Sequence, residues 1–311
     1  MSKIKVAVIG VGHMGREHAR VYAALPEAEL TGVFDIDHEV AKRVALQHAC
    51  SPFPDLHAAL EEADAVSIAT PTASHFEIAS AFLKRGKHVL VEKPMALDSE
   101  EATKLVTLAS ESGSVLQVGH IERFNPVLKA LEERLTRPRF IEAHRLSPYP
   151  GRSTEIGVVM DLMIHDLEII LHLVKAPIQS LDAVGVSVLS KSEDIANARI
   201  RFEDGCVANI TTSRISPEKM RKIRVFQDDA YLSLDYQNQQ GEIYRKDGAR
   251  ITRDAIPVMR EEPLKAELGS FLSCIATRSS PVVSGAHASN ALKVAARITE
   301  QIWSQGLIAS S

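Results

Sequence analysis

Two rhythms of apolar and polar positions divide this chain. In the first third, short apolar runs alternate with longer segments of helix composition. The runs are Lys5–Ile9, Leu30–Phe34, Ala65–Ala69, His88–Val91 and Val115–Gly119, each of strand length and apolar enough to be buried on both faces. Between them, Arg16–Leu25 predicts a helix that stops before Pro26, and Glu39–Ala49 predicts another. Asp55 caps a short helix to Glu61, His75–Arg85 ends on Gly86 as a C-cap, and Asp98-Ser99-Glu100-Glu101 opens a helix through Ser112 as a capping box. Strand and helix in strict alternation imply a parallel sheet covered on both faces.

After Gly119 the rhythm changes. Asn125–Leu135 predicts a helix, Phe140–Leu146 a strand, Ser147–Ser153 a loop and Val158–Val174 a strongly apolar helix. Strands then succeed one another without helices: Leu181–Leu189, Ala196–Phe202, Cys206–Ser213, Lys222–Gln227, Tyr231–Asp235 and Glu242–Tyr244, with Glu203-Asp204-Gly205 as a hairpin turn. Helices at Leu264–Thr277 and Ala286–Trp303 complete the chain. The expected fold is α/β: an N-terminal Rossmann parallel sheet, residues 1–121, and a C-terminal α+β domain, residues 122–311, with a large, mostly antiparallel open sheet. The C-terminal helix is free to pack back on the first domain. An open sheet leaves one face to be covered, so a homo-dimer or homo-tetramer is expected.

Composition narrows the function. At 311 residues the length suits about two domains, and 45% hydrophobic with 24% charged residues excludes wholesale disorder. A net charge of −4 without a basic block argues against nucleic acid as a partner. No apolar run approaches the roughly 20 residues of a membrane helix, and the first residues lack the apolar core of a signal peptide. Cys50, Cys206 and Cys274 are scattered, so neither disulfides nor a zinc site is indicated, and a reducing cytoplasm is the expected compartment.

The candidate chemistry lies at strand ends and on one helix. Gly10-Val11-Gly12-His13-Met14-Gly15 comes directly after a strand and opens a helix, the context in which GxGxxG binds a dinucleotide pyrophosphate. Asp35 ends the second strand where a carboxylate accepts the adenosine ribose hydroxyls; it would repel a 2′-phosphate, favouring NAD over NADP. Lys93 ends the strand His88–Glu92, stopped by Pro94; such a lysine can be catalytic, a phosphate contact or a solvated end. The ends at Gly10, Thr70 and Lys93 are expected to converge on one cofactor crevice. Asp161 and His165, four apart on a helix, share a face, and a neutral imidazole suits a hydroxyl proton. Alone, such a pair is more often an ordinary surface or buried pair, as are His144, Asp166 and His172, and two ligands without a third make no metal site.

Taken together, GVGHMG, ATPTASH at residues 69–75, VEKP at 91–94 and the D-x-x-x-H pair at 161–165 resemble the Gfo/Idh/MocA oxidoreductase family, in order and across essentially the whole chain. The resemblance implies that Lys93 lies beside the nicotinamide and hydrogen-bonds the reacting oxygen, with a cis peptide at Pro94. It implies that His165 is the acid/base and Asp161 its substrate-holding companion. Gly10, Gly12, His13, Met14, Gly15, Asp35, Thr70, Pro71, His75, Glu92 and Lys93 would line the cofactor. Gly119–Pro126 (GHIERFNP) together with Val158–Asp166 looks like the branch that contains the UDP-N-acetylglucosamine 3-dehydrogenases, which supply a 3-oxo sugar nucleotide to an aminotransferase in lipid A biosynthesis. Many members carry a Gly-Gly pair before the D-x-x-x-H helix and a glycine inside it; here Gly157 stands alone and Met163 fills the inner position. For a sugar nucleotide, Arg123, Asn125, Arg145 and Arg152 become substrate-binding candidates beside Lys93, Asp161 and His165, with arginine forks on the pyrophosphate. A dehydrogenase of a free polyol or aldose, and a non-catalytic NAD and sugar sensor, are the competing expectations.

Overall fold

The computed structural model describes residues 3–149 and 156–306. Arg152 lies outside them. By its contacts the chain divides into Met1–Ile121 with Glu262–Ser289, and Glu122–Glu261 with Asn290–Ser311. The first unit therefore recovers a C-terminal segment that the expected division at 121/122 gives to the second.

In the first unit, the order is β1 (Ile4–Ile9), α1 (His13–Ala24), β2 (Ala28–Phe34), α2 (His38–His48), β3 (Ser51–Pro52), α3 (Leu56–Glu62), β4 (Ala65–Ile68), α4 (His75–Lys84), β5 (His88–Glu92), α5 (Ser99–Ser112) and β6 (Leu116–Gly119). The strands form one parallel sheet in the order β3-β2-β1-β4-β5-β6, the doubly wound arrangement that the alternating pattern predicts. Chain order reverses between β1 and β4, the place where doubly wound sheets bind their ligands. The expected caps form: Asp55 accepts Ala58 N–H, Asp98 accepts those of Glu100 and Glu101, and Gly86 comes after α4 at φ +70°. Glu101 reaches back to Leu97 N–H rather than to that of Asp98.

The second unit contains α6 (Pro126–Glu132), β7 (Pro138–Leu146), α7 (Ile164–Val174), β8 (Ile178–Val186), β9 (Ile195–Phe202), β10 (Val207–Ser213), β11 (Met220–Gln227), β12 (Ala230–Asp235), β13 (Gln240–Asp247) and β14 (Arg250–Ile256). Its eight strands run β14-β13-β12-β11-β7-β10-β9-β8, antiparallel except for the β7/β10 pair. Alternate residues bury one face: Ile141, Ala143, Ile223, Val225, Leu232 and Leu234 point inward, while Phe140, Glu142 and His144 between them stay half-exposed. On the outward face Phe226, Tyr231 and Tyr244 stack in sequence.

Two helices end the chain. The first, α8 (Pro263–Thr277), adds Leu264, Leu268, Phe271 and Leu272 to the core built on Val6, Val8, Tyr22 and Leu90. The second, α9 (Gly285–Ser304), starts in the first unit and belongs to the second from Asn290 onward.

Three departures from the sequence pattern have local causes. β8 stops at Val186, short of Leu189, because the N–H groups of Val188, Leu189 and Ser190 leave the ladder for the Asp194 carboxylate. β14 gives no apolar alternation, since all its residues but Ile256 are exposed. The helix expected at Val158–Val174 is not uniform: Val159–Met163 is a turn of π-helix that runs into α7.

Candidate active site

The carboxyl ends of β1, β4 and β5 form one edge of the first unit. At the end of β1, Gly10 takes φ +80°, and a Cβ there would stand 2.7 Å from the Thr70 methyl. A Cβ on Gly15 would stand 1.8 Å from the Gly10 carbonyl oxygen, so only glycine lets α1 seat this closely on the strand end. Gly12 faces open space, with nothing within 4 Å of where its Cβ would be. His13 is exposed and Met14 half-buried on the same turn. α1 begins with no capping side chain and no acidic residue in its first turn, which leaves its first N–H groups to an external acceptor. An open glycine turn before an uncapped helix start fits a dinucleotide pyrophosphate.

Asp35 braces this turn as well as facing outward. Its Oδ2 accepts a hydrogen bond from Val11 N–H at 2.8 Å, and Oδ1 accepts one from Asp37 N–H at 3.0 Å. Asp37, not Asp35, caps α2.

Thr70 and Pro94 are tied together by His75. The ring is 1% exposed, with Nδ1 2.9 Å from the Pro94 carbonyl and Nε2 2.8 Å from the Thr70 carbonyl. Burial lowers its pKa, opposed by those two carbonyls and the Glu92 charge. Both ring nitrogens thus point to main chain, and His75 acts as a brace beneath the edge rather than as the cofactor-lining group the sequence suggests. Pro71 is exposed, Thr70 and Lys93 are half-buried, and the Lys93–Pro94 peptide is cis.

Glu92 also turns inward. Its Oε1 lies 3.1 Å from His18 Nε2, His18 Nδ1 lies 2.6 Å from Ser67 Oγ, and Oε2 accepts the Lys93 N–H at 3.3 Å. Expected against the cofactor, Glu92 instead links the Lys93 main chain to the interior. Behind it, Glu267 of α8 is fully buried, and neither of its carboxyl oxygens has a hydrogen-bond partner among the described residues. Burial, helped by the Glu92 charge, raises its pKa well above the usual glutamate value, so the acid is held neutral.

In the second unit, the π turn carries Asp161, half-buried, and the first turn of α7 carries His165, 8% exposed. A π turn widens the helix locally and often marks a functional site.

The substrate candidates Arg123, Asn125 and Arg145 are occupied elsewhere. Arg145 is 3% exposed; its Nε and Nη2 donate to Asp166 at 2.8 and 3.0 Å, and Nη1 donates to Glu122 at 3.2 Å. Burial alone would lower its pKa, but the two carboxylates more than offset that and raise it. Arg221 donates to the same Glu122 oxygen at 3.2 Å. Burial alone would raise the Glu122 pKa; Arg145 and Arg221 carry it below the ordinary value. Arg123 Nη1 donates to Glu168 at 2.6 Å, both side chains buried. Asn125 caps α6 through Val127 N–H and donates to Glu122 and to the Tyr236 carbonyl. With its guanidinium engaged by two buried carboxylates, Arg145 offers no fork to a phosphate, and Asn125 is occupied by its cap; Arg123 is buried against Glu168 through Nη1 alone, its Nε without a partner among the described residues. Asp166 and His172 are the satisfied partners of Arg145 and Glu132, and His144 lies on the outward sheet face.

Sequence reasoning missed Glu193, Asp194 and Arg214. The acidic pair lies between two strands and Arg214 directly after another, with no local pattern to mark them. All three are almost fully buried. No cluster of metal-ligating side chains occurs among the described residues.

Comparison with known proteins covers both units. Residues 4–120 match the oxidoreductase family with an NAD-binding Rossmann fold of the Gfo/Idh/MocA group, and residues 130–233 match the Gfo/Idh/MocA C-terminal domain. The chain is 42% identical over 283 residues to UDP-N-acetylglucosamine 3-dehydrogenase of Acidithiobacillus ferrooxidans, covering 89% of this chain and 90% of that protein. A solved structure of an enzyme of that name from the same organism superposes with a TM-score of 0.94 at 38% identity, covering 99% of this chain and 100% of that one. The NAD(+)-dependent scyllo-inositol 2-dehydrogenase of Bacillus subtilis is 26% identical over 94% of this chain and 92% of its own length.

Proposed function

The chain belongs to the Gfo/Idh/MocA oxidoreductase family, and on that premise we propose that it oxidises the 3-hydroxyl of UDP-N-acetylglucosamine, or of a closely related sugar nucleotide, with NAD as hydride acceptor. The observation that carries this reading is the 42% identity to UDP-N-acetylglucosamine 3-dehydrogenase, which extends over 89% of the chain.

Gly10, Gly12 and Gly15, with the uncapped start of α1, hold the pyrophosphate; Asp35 accepts the ribose hydroxyls and disfavours NADP. Thr70, Pro71, His13 and Met14 border the same edge. When bound, the nicotinamide accepts the hydride from the carbinol carbon. His165 takes the hydroxyl proton as the carbonyl forms, Asp161 holds a neighbouring substrate group, and the Lys93 ammonium stabilises alkoxide character on the reacting oxygen. The 3-oxo sugar nucleotide formed is the acceptor an aminotransferase needs, in keeping with a cytoplasmic step of lipid A biosynthesis. The stacked aromatic face of the large sheet supports a homo-dimer or homo-tetramer.

The test monitors NADH formation with UDP-N-acetylglucosamine, UDP-sugars and free sugars, with a coupled aminotransferase as product trap. Turnover is expected on the UDP-N-acetyl sugar; equal turnover on the free sugar would move the assignment to a polyol or aldose, and NAD binding without any reduction would make the protein a sensor. Lys93→Met should abolish turnover with NAD affinity retained, and unchanged turnover removes Lys93 from the chemistry.

A further inference from the structure

The helical segment that carries Asp161 and His165 has no capping side chain of its own. Its start is held by the connection between β8 and β9, some thirty residues later. The Asp194 carboxylate organises that connection. Oδ2 accepts the N–H groups of Val188, Leu189 and Ser190 at 2.8, 2.6 and 2.9 Å, and Oδ1 accepts Ser190 Oγ at 2.7 Å and Arg214 Nε at 2.8 Å. Arg214 in turn donates through Nη1 to the Ile156 carbonyl at 2.7 Å and through Nη2 to the hydroxyls of Ser190 and Ser192.

Glu193, 1% exposed, projects from this connection onto the segment start. Its carbonyl accepts Val158 N–H at 3.0 Å, and its carboxylate Oε1 accepts Val159 N–H at 3.2 Å. A Cβ on Gly157 would stand 1.8, 2.1 and 2.2 Å from Oε1, Cδ and Oε2 of that carboxylate. The Gly157 backbone is not in the left-handed region, so its glycine is required by space alone: the carboxylate lies directly on its Cα. Main-chain and side-chain acceptors of one residue thus serve the first two N–H groups of the segment, which burial would otherwise leave unpaired.

The π turn comes immediately afterwards, and Asp161 N–H bonds the Gly157 carbonyl at 3.1 Å. A π turn accommodates one residue more than an α turn; were it to rewind, the residues before it would rotate by about 100° relative to those of α7. Asp161 lies within the turn and His165 beyond it, so the turn sets their mutual orientation. We propose that Glu193 is a positioning residue of the reaction: seated on Gly157, it fixes the start of the π turn and thereby the placement of Asp161 relative to His165. The inference rests on the assignment of Asp161 and His165 to the chemistry.

The experiment uses the full chain, with NAD affinity, melting temperature and steady-state turnover on UDP-N-acetylglucosamine measured for each variant. Glu193→Ala is expected to lower kcat per folded molecule by roughly ten- to a hundredfold, the scale of a small misplacement, with NAD affinity unchanged. Glu193→Gln keeps an acceptor for Val159 N–H and should retain most of the turnover. Gly157→Ala pushes the carboxylate away and should reproduce the loss; in Gly157→Ala/Glu193→Ala the methyl fills the vacated space, so the double variant should be no worse than Glu193→Ala. Glu193→Gln and Gly157→Ala decide the matter should Glu193→Ala not fold. Unchanged kcat in both Glu193→Ala and Gly157→Ala, additive losses in the double variant, a Glu193→Gln as impaired as Glu193→Ala, or losses confined to melting temperature would each overturn the proposal. Asp161→Asn and His165→Asn serve as controls: full activity in these two removes the underlying assignment, whereas inactivity there with a normal Glu193→Ala removes only the role of Glu193.

Discussion

The two sheets deal with charge in opposite ways. In the parallel sheet, Lys93 and Asp35 sit at strand ends, where they remain half-exposed. In the second unit, Arg145 on the mixed sheet and Asp166, Glu122 and Asp194 outside its strands are buried and bonded to one another or to main chain. A parallel sheet gathers its carboxyl ends on one edge, so a charged residue after a strand is presented to a ligand by topology. An open mixed sheet has no such edge, and a charged residue on its inner face survives only if distant groups neutralise it. The same residue types are therefore presented at an edge by one sheet and held in the interior beside the other.

The sharpest way to break this contrast is Arg145→Ala, which strands Asp166 as an unpaired buried carboxylate and leaves Glu122 to Arg221 and Asn125. It should cost about 3–5 kcal/mol in denaturant unfolding. A variant as stable as the parent but weaker for UDP-sugars would return Arg145 to substrate binding. Next comes Gly15→Ala, whose methyl meets the Gly10 carbonyl at 1.8 Å in a place where only backbone can yield. Its overpacking should cost about 1–3 kcal/mol and weaken NAD binding together with stability. Gly12→Ala meets no clash, with nothing within 4 Å, and costs only a less favourable N-cap, so a loss of NAD affinity beyond the small change in stability reports the ligand contact.

The effect read as a slope against pH concerns the buried carboxyl that fits neither pattern. Glu267 has its pKa raised by burial and by Glu92, so the folded state keeps a proton that the unfolded chain releases at the ordinary glutamate value. Its contribution to stability is full below that value and is lost as pH rises through the raised, folded value. Glu267→Gln, neutral throughout, should gain on the parent as pH rises through this window, by about 1.4 kcal/mol for each pH unit between the two values. Asp194 has the opposite sign. Burial alone would raise its pKa, but the three N–H groups and Arg214 bring it below the usual range, so its stabilisation is present above the ordinary aspartate value and fades as pH falls toward the folded one. Urea unfolding of Glu267→Gln and Asp194→Asn across pH checks both signs; a Glu267→Gln curve parallel to the parent's would show that Glu267 is ionised in the fold.

Legibility in the sequence divides along the same line. The Rossmann sheet, its caps and the glycine turn are local features, carried by residues within a few positions of one another, and they are legible without the structure. Lys93 is legible because Pro94 ends its strand. The fate of Arg145 is not: Asp166 lies 21 residues away and Glu122 lies 23, and nothing near Arg145 announces either. Glu193 is hidden more deeply still, because its partner is a glycine whose significance is an absent methyl group. β14 escapes notice because its residues are nearly all exposed, leaving no alternation to read. Within the D-x-x-x-H segment the spacing of Asp161 and His165 is visible, but the π turn that sets their orientation depends on acceptors supplied by Glu193.

The double duty of Asp35 has a consequence for redesign. Exchanging this carboxylate for a smaller or basic side chain is the obvious route to accepting a phosphorylated ribose. In this chain the same two oxygens restrain Val11 and Asp37, so the exchange would also loosen the glycine turn proposed for the pyrophosphate. Coenzyme choice is thus wired to loop shape, and an engineered switch would have to supply substitute acceptors for two amides along with the new binding group.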